Sequence, residues 1–126
     1  MSIMVDKALG IHQYALEMRV ERSRILAGNI ANVETPGYLA RDYDFKAALS
    51  RVATELESHR AGHPLPGLSL GSELKFRVPM QPSADGNTAE LSVEQARFAE
   101  NAMDFQTSLT FLNLKISGLR KAIEGQ

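Results

Sequence analysis

The chain has 126 residues, of which 44% are hydrophobic and 23% charged, and its formal net charge at pH 7 is -1. This length and composition are typical of one domain with a modest core, and the small net charge gives no reason to expect a nucleic-acid or anionic-membrane partner. The chain contains no cysteine, which excludes disulfides, thiolate nucleophiles and cysteine-ligated metals.

The first predicted element is a long helix from about Ser2 to Ala31. Apolar residues recur there at helical spacing without a proline, and only Gly10 and Gly28 weaken the pattern. At about 100° per residue the apolar side chains fall on two roughly opposite sides. One side carries Val5, Leu9, Leu16, Val20 and Ile30, and the other carries Ile11, Tyr14, Met18 and Ile25. A helix of this kind needs cover on both faces.

A tight turn is predicted where the segment 35–38 reads Thr-Pro-Gly-Tyr. Pro36 has no backbone N–H and restricts Thr35 to extended geometry, so the first helix must end near Asn32. Gly37 accepts a positive φ, which favours a type II turn. Three aromatic rings then follow within eight residues and are expected to hold the outgoing chain against a helix; they belong to Tyr38, Tyr43 and Phe45.

The middle of the chain is predicted to be short and mixed in structure. A helix is expected over about 44–59, and the glycine- and proline-rich stretch 62–71 after it is expected to be a loop. Residues 74–78 alternate apolar and basic side chains, which indicates a short strand. The Asp-Gly-Asn turn signal at 85–87 suggests that 88–91 pairs back on this strand as a small hairpin. The pattern over 53–72 leaves the conformation of that segment open.

A second long helix is predicted from near Ser92 to about Glu124, beginning at a capping box in which Glu94 lies in the first turn. It would be about 33 residues and ~50 Å long. Its apolar residues keep a four-three spacing typical of a coiled-coil seam, namely Phe98, Ala102, Phe105, Leu109, Leu112, Ile116, Leu119 and Ile123. Further apolar residues, including Met103, Phe111 and Leu114, lie on the opposite side.

The predicted fold is therefore mainly α, with the N- and C-terminal helices packed as a coiled coil. Residues 1–32 and 92–126 form one discontinuous helical domain, and 33–91 form an insert with a turn, a short helix, a loop and a small β-hairpin. Because one partner helix covers only one face, the other stripe is expected to contact further chains. The residues predicted to pack helices or subunits are Leu9, Leu16, Ile25, Ile30, Phe98, Phe105, Leu109, Leu112, Ile116, Leu119 and Ile123.

The turn carries a sequence signature. A long helix followed by Ala-Asn, two variable residues and Thr-Pro-Gly-Tyr resembles the signature of the axial proteins of the bacterial flagellar rod and hook, and the matching residues are Ala31, Asn32, Thr35, Pro36, Gly37 and Tyr38. Four further runs are similar to those of proximal-rod members: 40–45, 76–79, 85–88 and 98–101. The resemblance covers roughly 9–45 and 74–123.

This resemblance implies a structural subunit of the proximal rod that links the rod to the export gate and the membrane ring. It implies as partners other copies of the chain, the neighbouring rod protein FlgC, the adaptor FliE, and export-gate and membrane-ring components. The expected location is the basal body on the periplasmic side of the inner membrane. Nothing near the N-terminus resembles a cleavable signal peptide, which agrees with export through the flagellar type III channel.

No catalytic, metal or cofactor site is predicted. His59 and His63 lie four residues apart, but Gly62 and Pro64 interrupt the helix and no third ligand is evident. Asp42 and Asp44 are expected to cap a turn or to pair with an arginine rather than to act in acid-base catalysis. Asparagines on the two long helices are candidates for fixing their register. The alternative function is a cytoplasmic coiled-coil adaptor or export chaperone.

Overall fold

The computed structural model of the chain describes residues 2–60, 62, 74–79 and 81–125, with the side chains of residue 9 onward except 59 and 60. The mainly α fold is confirmed. In chain order the elements are α1 Ser2–Ala31, β1 Arg41–Tyr43, α2 Phe45–Arg60, β2 Leu74–Phe76 and α3 Leu91–Glu124. In the part of the chain described, none of the helices is both long enough and apolar enough to cross a membrane.

The two long helices, α1 and α3, pack antiparallel. Near the middle of α1, Arg19 forms an ion pair of 3.2 Å with Asp104, and towards its start the ring of His12 lies 5.5 Å from that of Phe111. Residue numbers therefore rise along α1 as they fall along α3. The sequence pattern allowed either direction, and the side-chain contacts between the helices decide it.

A small apolar core forms where α2 packs against α1. Met18 of α1 and Ala48 and Val52 of α2 are buried there. Four partly buried side chains surround them, those of Tyr14, Phe45, Leu49 and Leu56. The helix α2 begins directly after Asp44, whose carboxylate accepts the backbone N–H of Ala47 at 3.1 Å. This is the local contact by which an aspartate at the N-cap favours helix formation.

The predicted hairpin between 74–78 and 88–91 is wrong. The strand β2 pairs antiparallel with β1 instead, with Arg41 opposite Phe76 and Tyr43 opposite Leu74. Thr88 is bound elsewhere, because its N–H donates to Tyr38 O at 2.9 Å and its hydroxyl accepts the N–H of Ala40 at 2.7 Å. The chain after the 85–87 turn therefore attaches to the segment before β1 and then enters α3.

The predicted capping box at the start of α3 is also wrong. The N-cap is Glu90, which makes no side-chain hydrogen bond to the first turn. Glu94 is fully buried and its carboxylate is used by tertiary partners rather than by the helix end. At the other end Gly125 adopts a φ of 74° and donates its N–H to Lys121 O, a common helix stop.

Candidate functional site

The joint between the terminal helices and the middle segment begins with the turn 35–38. Tyr38 N donates to Thr35 O at 3.2 Å, and Gly37 has a φ of 73°. With proline before it, this geometry matches the predicted type II turn. Asn32 completes the end of α1, since its amide donates to Gly28 O at 2.7 Å and its side-chain oxygen accepts the hydroxyl of Thr35 at 3.0 Å.

Asn87, which is distant from the turn 35–38 in sequence, binds it through its side chain. Its side-chain amide, 4% exposed, donates to the carbonyl oxygens of Asn32, Val33 and Thr35 at 2.8, 2.9 and 2.8 Å. Its side-chain oxygen accepts the N–H of Ala89 at 2.7 Å. The carbonyls left free at the end of a helix need such donors. Asn87 therefore fixes the exit of α1 and the approach to α3 together.

Asn29 joins α1 to β1 and α3. Its side chain is fully buried, and its amide donates to Arg41 O at 2.6 Å and to the carboxylate of Glu94 at 2.9 Å. Its side-chain oxygen accepts the N–H of Arg41 at 3.1 Å and the hydroxyl of Tyr38 at 3.3 Å. Every hydrogen-bonding group of the amide thus has a partner, as burial demands.

Beside Asn29 lies an ionic cluster that we call the charged joint, formed by Arg22, Asp42, Arg77 and Glu94. Arg22 binds Asp42 through two hydrogen bonds of 2.9 and 3.1 Å. Arg77 binds the same carboxylate at 2.9 Å and also pairs with Glu94. None of the four side chains is more than 16% exposed. Two positive and two negative groups pair in this way, and their hydrogen bonds offset part of the cost of burying charge.

The charged joint shifts the pKa values of its members. Burial raises the pKa of Asp42, but the hydrogen bond and charge of Arg22, with help from the Tyr43 N–H and Arg77, outweigh it, so the pKa lies below its ordinary value. The hydrogen bond from Arg22 to Asp42 in turn raises the pKa of Arg22. Both groups are therefore held in their charged forms.

Asn101 supplies a second polar contact between α1 and α3. Its buried amide donates to Arg19 O and to the hydroxyl of Ser23, both at 2.8 Å. Asn29 and Asn101 thus bind across the two helices, as predicted for residues that fix register. Asn113 is exposed and Asn32 binds within α1, so these two do not link the helices.

The predicted packing residues differ in exposure. On α1, Leu9, Leu16, Ile25 and Ile30 are half-buried. On α3, Phe105, Leu109, Leu112 and Leu119 are half-buried, whereas Phe98, Ile116 and Ile123 are 38, 45 and 63% exposed. Met103, Phe111 and Leu114 on the opposite side are 71, 52 and 66% exposed. The only buried residues of α3 are Glu94 and Asn101 within its described span, so its apolar faces remain largely uncovered.

The two aspartates that were considered for acid-base chemistry both have structural partners. Asp42 belongs to the charged joint, and Asp44 caps α2 and contacts Lys75 at 3.4 Å. The expected pairing with an arginine is found at Asp42, whereas at Asp44 the cation is a lysine. Among the described residues no group of three or more His, Asp or Glu side chains could hold a metal. His63 and the side chain of His59 lie outside the described residues.

Comparison with known proteins identifies the family. No protein-family model matches the chain. It is 45% identical to the flagellar basal body rod protein FlgB of Aeromonas hydrophila, over 100% of this chain and 99% of that protein. It is 46% identical to the protein of that name from Cereibacter sphaeroides, covering 94% of each chain, and 39% identical to that from Salmonella typhimurium, covering 96% of each. The chain belongs to the FlgB family of flagellar basal body rod proteins. The resemblance to flagellar rod proteins is thereby confirmed, and the chain is a structural component of the basal body rod.

Within this FlgB-family chain, sequence reasoning missed the charged joint. Arg22 and Asp42 are distant in sequence, and Arg77 lies in the predicted strand 74–78, still further along the chain, so no local pattern links them. A signal was present on α3, because Glu94 and Asn101 are seven residues apart and share the face that packs on α1. Two polar residues at seam spacing indicate a buried polar contact, which the structure shows.

Proposed function

We propose that this chain is a subunit of the proximal rod that assembles through its terminal helices, and that it acts by packing and not by catalysis. The observation that supports this is the exposed apolar surface of α3, where Phe111, Leu114, Ile116 and Ile123 are each at least 45% exposed. These residues lie on two sides of α3, and exposed apolar side chains on both sides of one helix indicate protein interfaces. The division into a helical domain of 1–32 with 92–126 and an insert of 33–91 is part of the proposal.

The balance of burial favours assembly. The buried apolar side chains described are those of Met18, Leu26, Ala40, Ala48 and Val52, and full burial of each large one contributes about 1.5–3 kcal/mol. The helix α3 alone has 34 residues, and the conformational entropy lost on ordering them opposes folding. Neighbouring subunits that cover the apolar stripes would add the missing burial, which supports packing of subunit against subunit.

The proposal extends to the neighbours of the chain. We place it on the periplasmic side of the inner membrane, beside other copies, FlgC, FliE, and components of the export gate and membrane ring. The family resemblance supports these partners, and the two apolar faces of α3 offer area for more than one of them. In this role the subunit would connect the rod to the export gate and the membrane ring.

A pair of neighbouring substitutions tests the proposal. Leu114→Asp places a charge on the exposed apolar face of α3, and Asn113→Asp places the same charge on an exposed polar position one residue away. In cells lacking the native chain, Leu114→Asp should abolish motility and leave the chain out of purified basal bodies, because burying an unpaired carboxylate is costly. Asn113→Asp should support both. Motile cells with complete basal bodies from Leu114→Asp would contradict the proposal.

A further inference from the structure

The two-stranded sheet is inverted, with its charged face inward and its apolar face outward. Residues opposite each other in an antiparallel pair share one face. Asp42 and Arg77 lie on the face that reaches the helices through the charged joint. The register of Arg41 with Phe76 and of Tyr43 with Leu74 places these residues on the other face, where Tyr43 and Leu74 are half-buried. The hydrogen bond from Arg77 N to Ala40 O continues the pairing beyond the strands, so that Leu39 and Val78, just outside β1 and β2, lie on the same side. A sheet that covers a core normally has the opposite arrangement.

This outward face, which we call the sheet patch, is apolar and exposed. Val78 is 87% exposed, Phe76 67% and Leu39 49%. Arg41 is the charged residue of the sheet patch and is exposed; in the described part of the chain no carboxylate pairs with its guanidinium. An apolar surface with one unpaired cation is suited to a partner surface that is apolar and carries one carboxylate.

The chain itself has such a surface on α3, which we call the helix patch. Ala96, Glu100, Met103 and Thr107 follow a four-three-four spacing and lie on one side of the helix. Met103 is 71% exposed and the other three are also exposed. Among the described residues Glu100 forms no direct ion pair, although its charge helps to raise the pKa of Arg22 on α1. Leu114 continues the apolar surface towards the C-terminus at 66% exposure.

We propose that the sheet patch of one copy docks on the helix patch of a second copy, with Arg41 paired to Glu100. Within one molecule the patches do not meet, since Phe76, Val78 and Met103 are all exposed and Arg41 and Glu100 are not paired with each other. This inference rests on the proposed function, because it adds a specific contact between neighbouring rod subunits. The two patches differ, so the contact is head-to-tail and repeats from copy to copy, which suits a helical assembly.

The apolar side chains around Arg41 and Glu100 determine the strength of this ion pair. Phe76, Val78 and Met103 would exclude water around Arg41 and Glu100, and an ion pair shielded from water is stronger than an exposed one. Reversal of either charge places like charges opposite each other. We expect each single reversal to weaken the contact about fivefold or more.

Cysteine cross-linking tests the contact directly, because the native chain has no cysteine. Val78→Cys and Met103→Cys are expressed on separate, differently tagged copies in one cell, and basal bodies are isolated under mild oxidation. The expected product is a disulfide dimer that carries both tags. The matched control replaces Val78→Cys with Ala53→Cys, an exposed position on α2, and should give little of this dimer. Equal yields from the two pairs, or cross-links of Val78→Cys to a different protein, would overturn the proposal.

A charge exchange provides the second test. Arg41→Glu and Glu100→Arg should each lower the yield of the mixed dimer about fivefold, and the two changes together should restore it. No restoration would overturn the pairing of Arg41 with Glu100. The outcome for the proposed function is read separately, from the amount of chain in the basal bodies. Normal incorporation without the mixed dimer contradicts only this contact, whereas absence of the wild-type chain from basal bodies contradicts the proposed function.

Discussion

At the scale of single residues, two asparagines organise the joint. Asn29 and Asn87 are buried, and each binds backbone groups from segments far apart in sequence. An amide has both donors and acceptors, so it can satisfy free carbonyl and N–H groups at once. The turn 35–38 is the element that depends most on them, because its shape is set by Gly37 and its position by Asn87.

We expect Asn87→Ala to lower the free energy of unfolding by about 2–3 kcal/mol. The substitution removes the donor to Val33 O, a second donor to Asn32 O and Thr35 O, and the acceptor of the Ala89 N–H, and lost buried hydrogen bonds of this number carry this penalty. Urea denaturation followed by circular dichroism measures it. Ser83→Ala, at an exposed position just before the 85–87 turn, should change the free energy by no more than about 0.5 kcal/mol. Equal effects at the two positions would show that Asn87 does not hold the turn.

Gly37→Val should destabilise the chain through the backbone alone. Gly37 has a φ of 73° and no atom lies within 4 Å of the position a Cβ would take, so the expected cost is about 1–2 kcal/mol of left-handed strain. Gly118 in α3 has equally open surroundings without the positive φ. Gly118→Ala should stabilise the helix by about 0.5–1 kcal/mol. Thermal unfolding should show a lower melting temperature for Gly37→Val and a higher one for Gly118→Ala. An unchanged melting temperature for Gly37→Val would contradict the predicted strain.

At the scale of elements, the charged joint attaches the sheet to the long helices. β1 contributes Asp42, the chain just after β2 contributes Arg77, and α1 and α3 contribute Arg22 and Glu94. The strands are only three residues long and an isolated two-stranded sheet is marginal in water. The side-chain ion pairs therefore supply the attachment that strand pairing alone does not.

The charged joint should make stability fall in acid. The pKa of Asp42 is lower in the folded chain than its ordinary value of 3.8. Its contribution is therefore complete above the unfolded pKa and is lost as pH falls through the folded pKa. Asp42→Asn should cost about 3 kcal/mol at neutral pH by leaving Arg22 and Arg77 without a shared partner.

Urea denaturation at about pH 6 and about pH 3 tests this dependence. Asp42→Asn should lose less stability between the two conditions than the wild type does, because the group that becomes protonated is gone. Glu34→Gln is the control, since Glu34 is an exposed carboxylate outside the charged joint. If both variants kept the acid dependence of the wild type, Asp42 would not be its source.

At the scale of the whole molecule, stability is distributed unevenly along α3. Its two buried residues, Glu94 and Asn101, lie in its first half. From residue 113 to residue 124 every side chain is exposed except that of Leu119, which is half-buried. Segments with few buried contacts open first. The end of the α1–α3 pair that contains the charged joint is therefore more stable than the opposite end.

Hydrogen exchange should reveal this difference. In the free chain, amides of 113–124 should exchange at least about tenfold faster than those of 94–105, because local opening there breaks few contacts. In assembled basal bodies the protection of 113–124 should rise, since neighbouring copies would cover its apolar side chains. Mass spectrometry of peptides from both states measures the rates. Uniform protection along α3 in the free chain would contradict the uneven distribution.

The sequence by itself determined the two long helices, the turn between 35 and 38 and the family, because these depend on local periodicity, proline and glycine geometry, and contiguous motifs. The limits of α1 agree with the prediction, and α3 begins within one residue of it. Only the tertiary structure decided the partner of β2 and the role of Glu94. The two strands meet across more than thirty residues of chain, as Asp42 and Arg77 do, and Glu94 meets Arg77 and Asn29 across 17 and 65 residues. No local pattern encodes which distant charge or strand will be nearest.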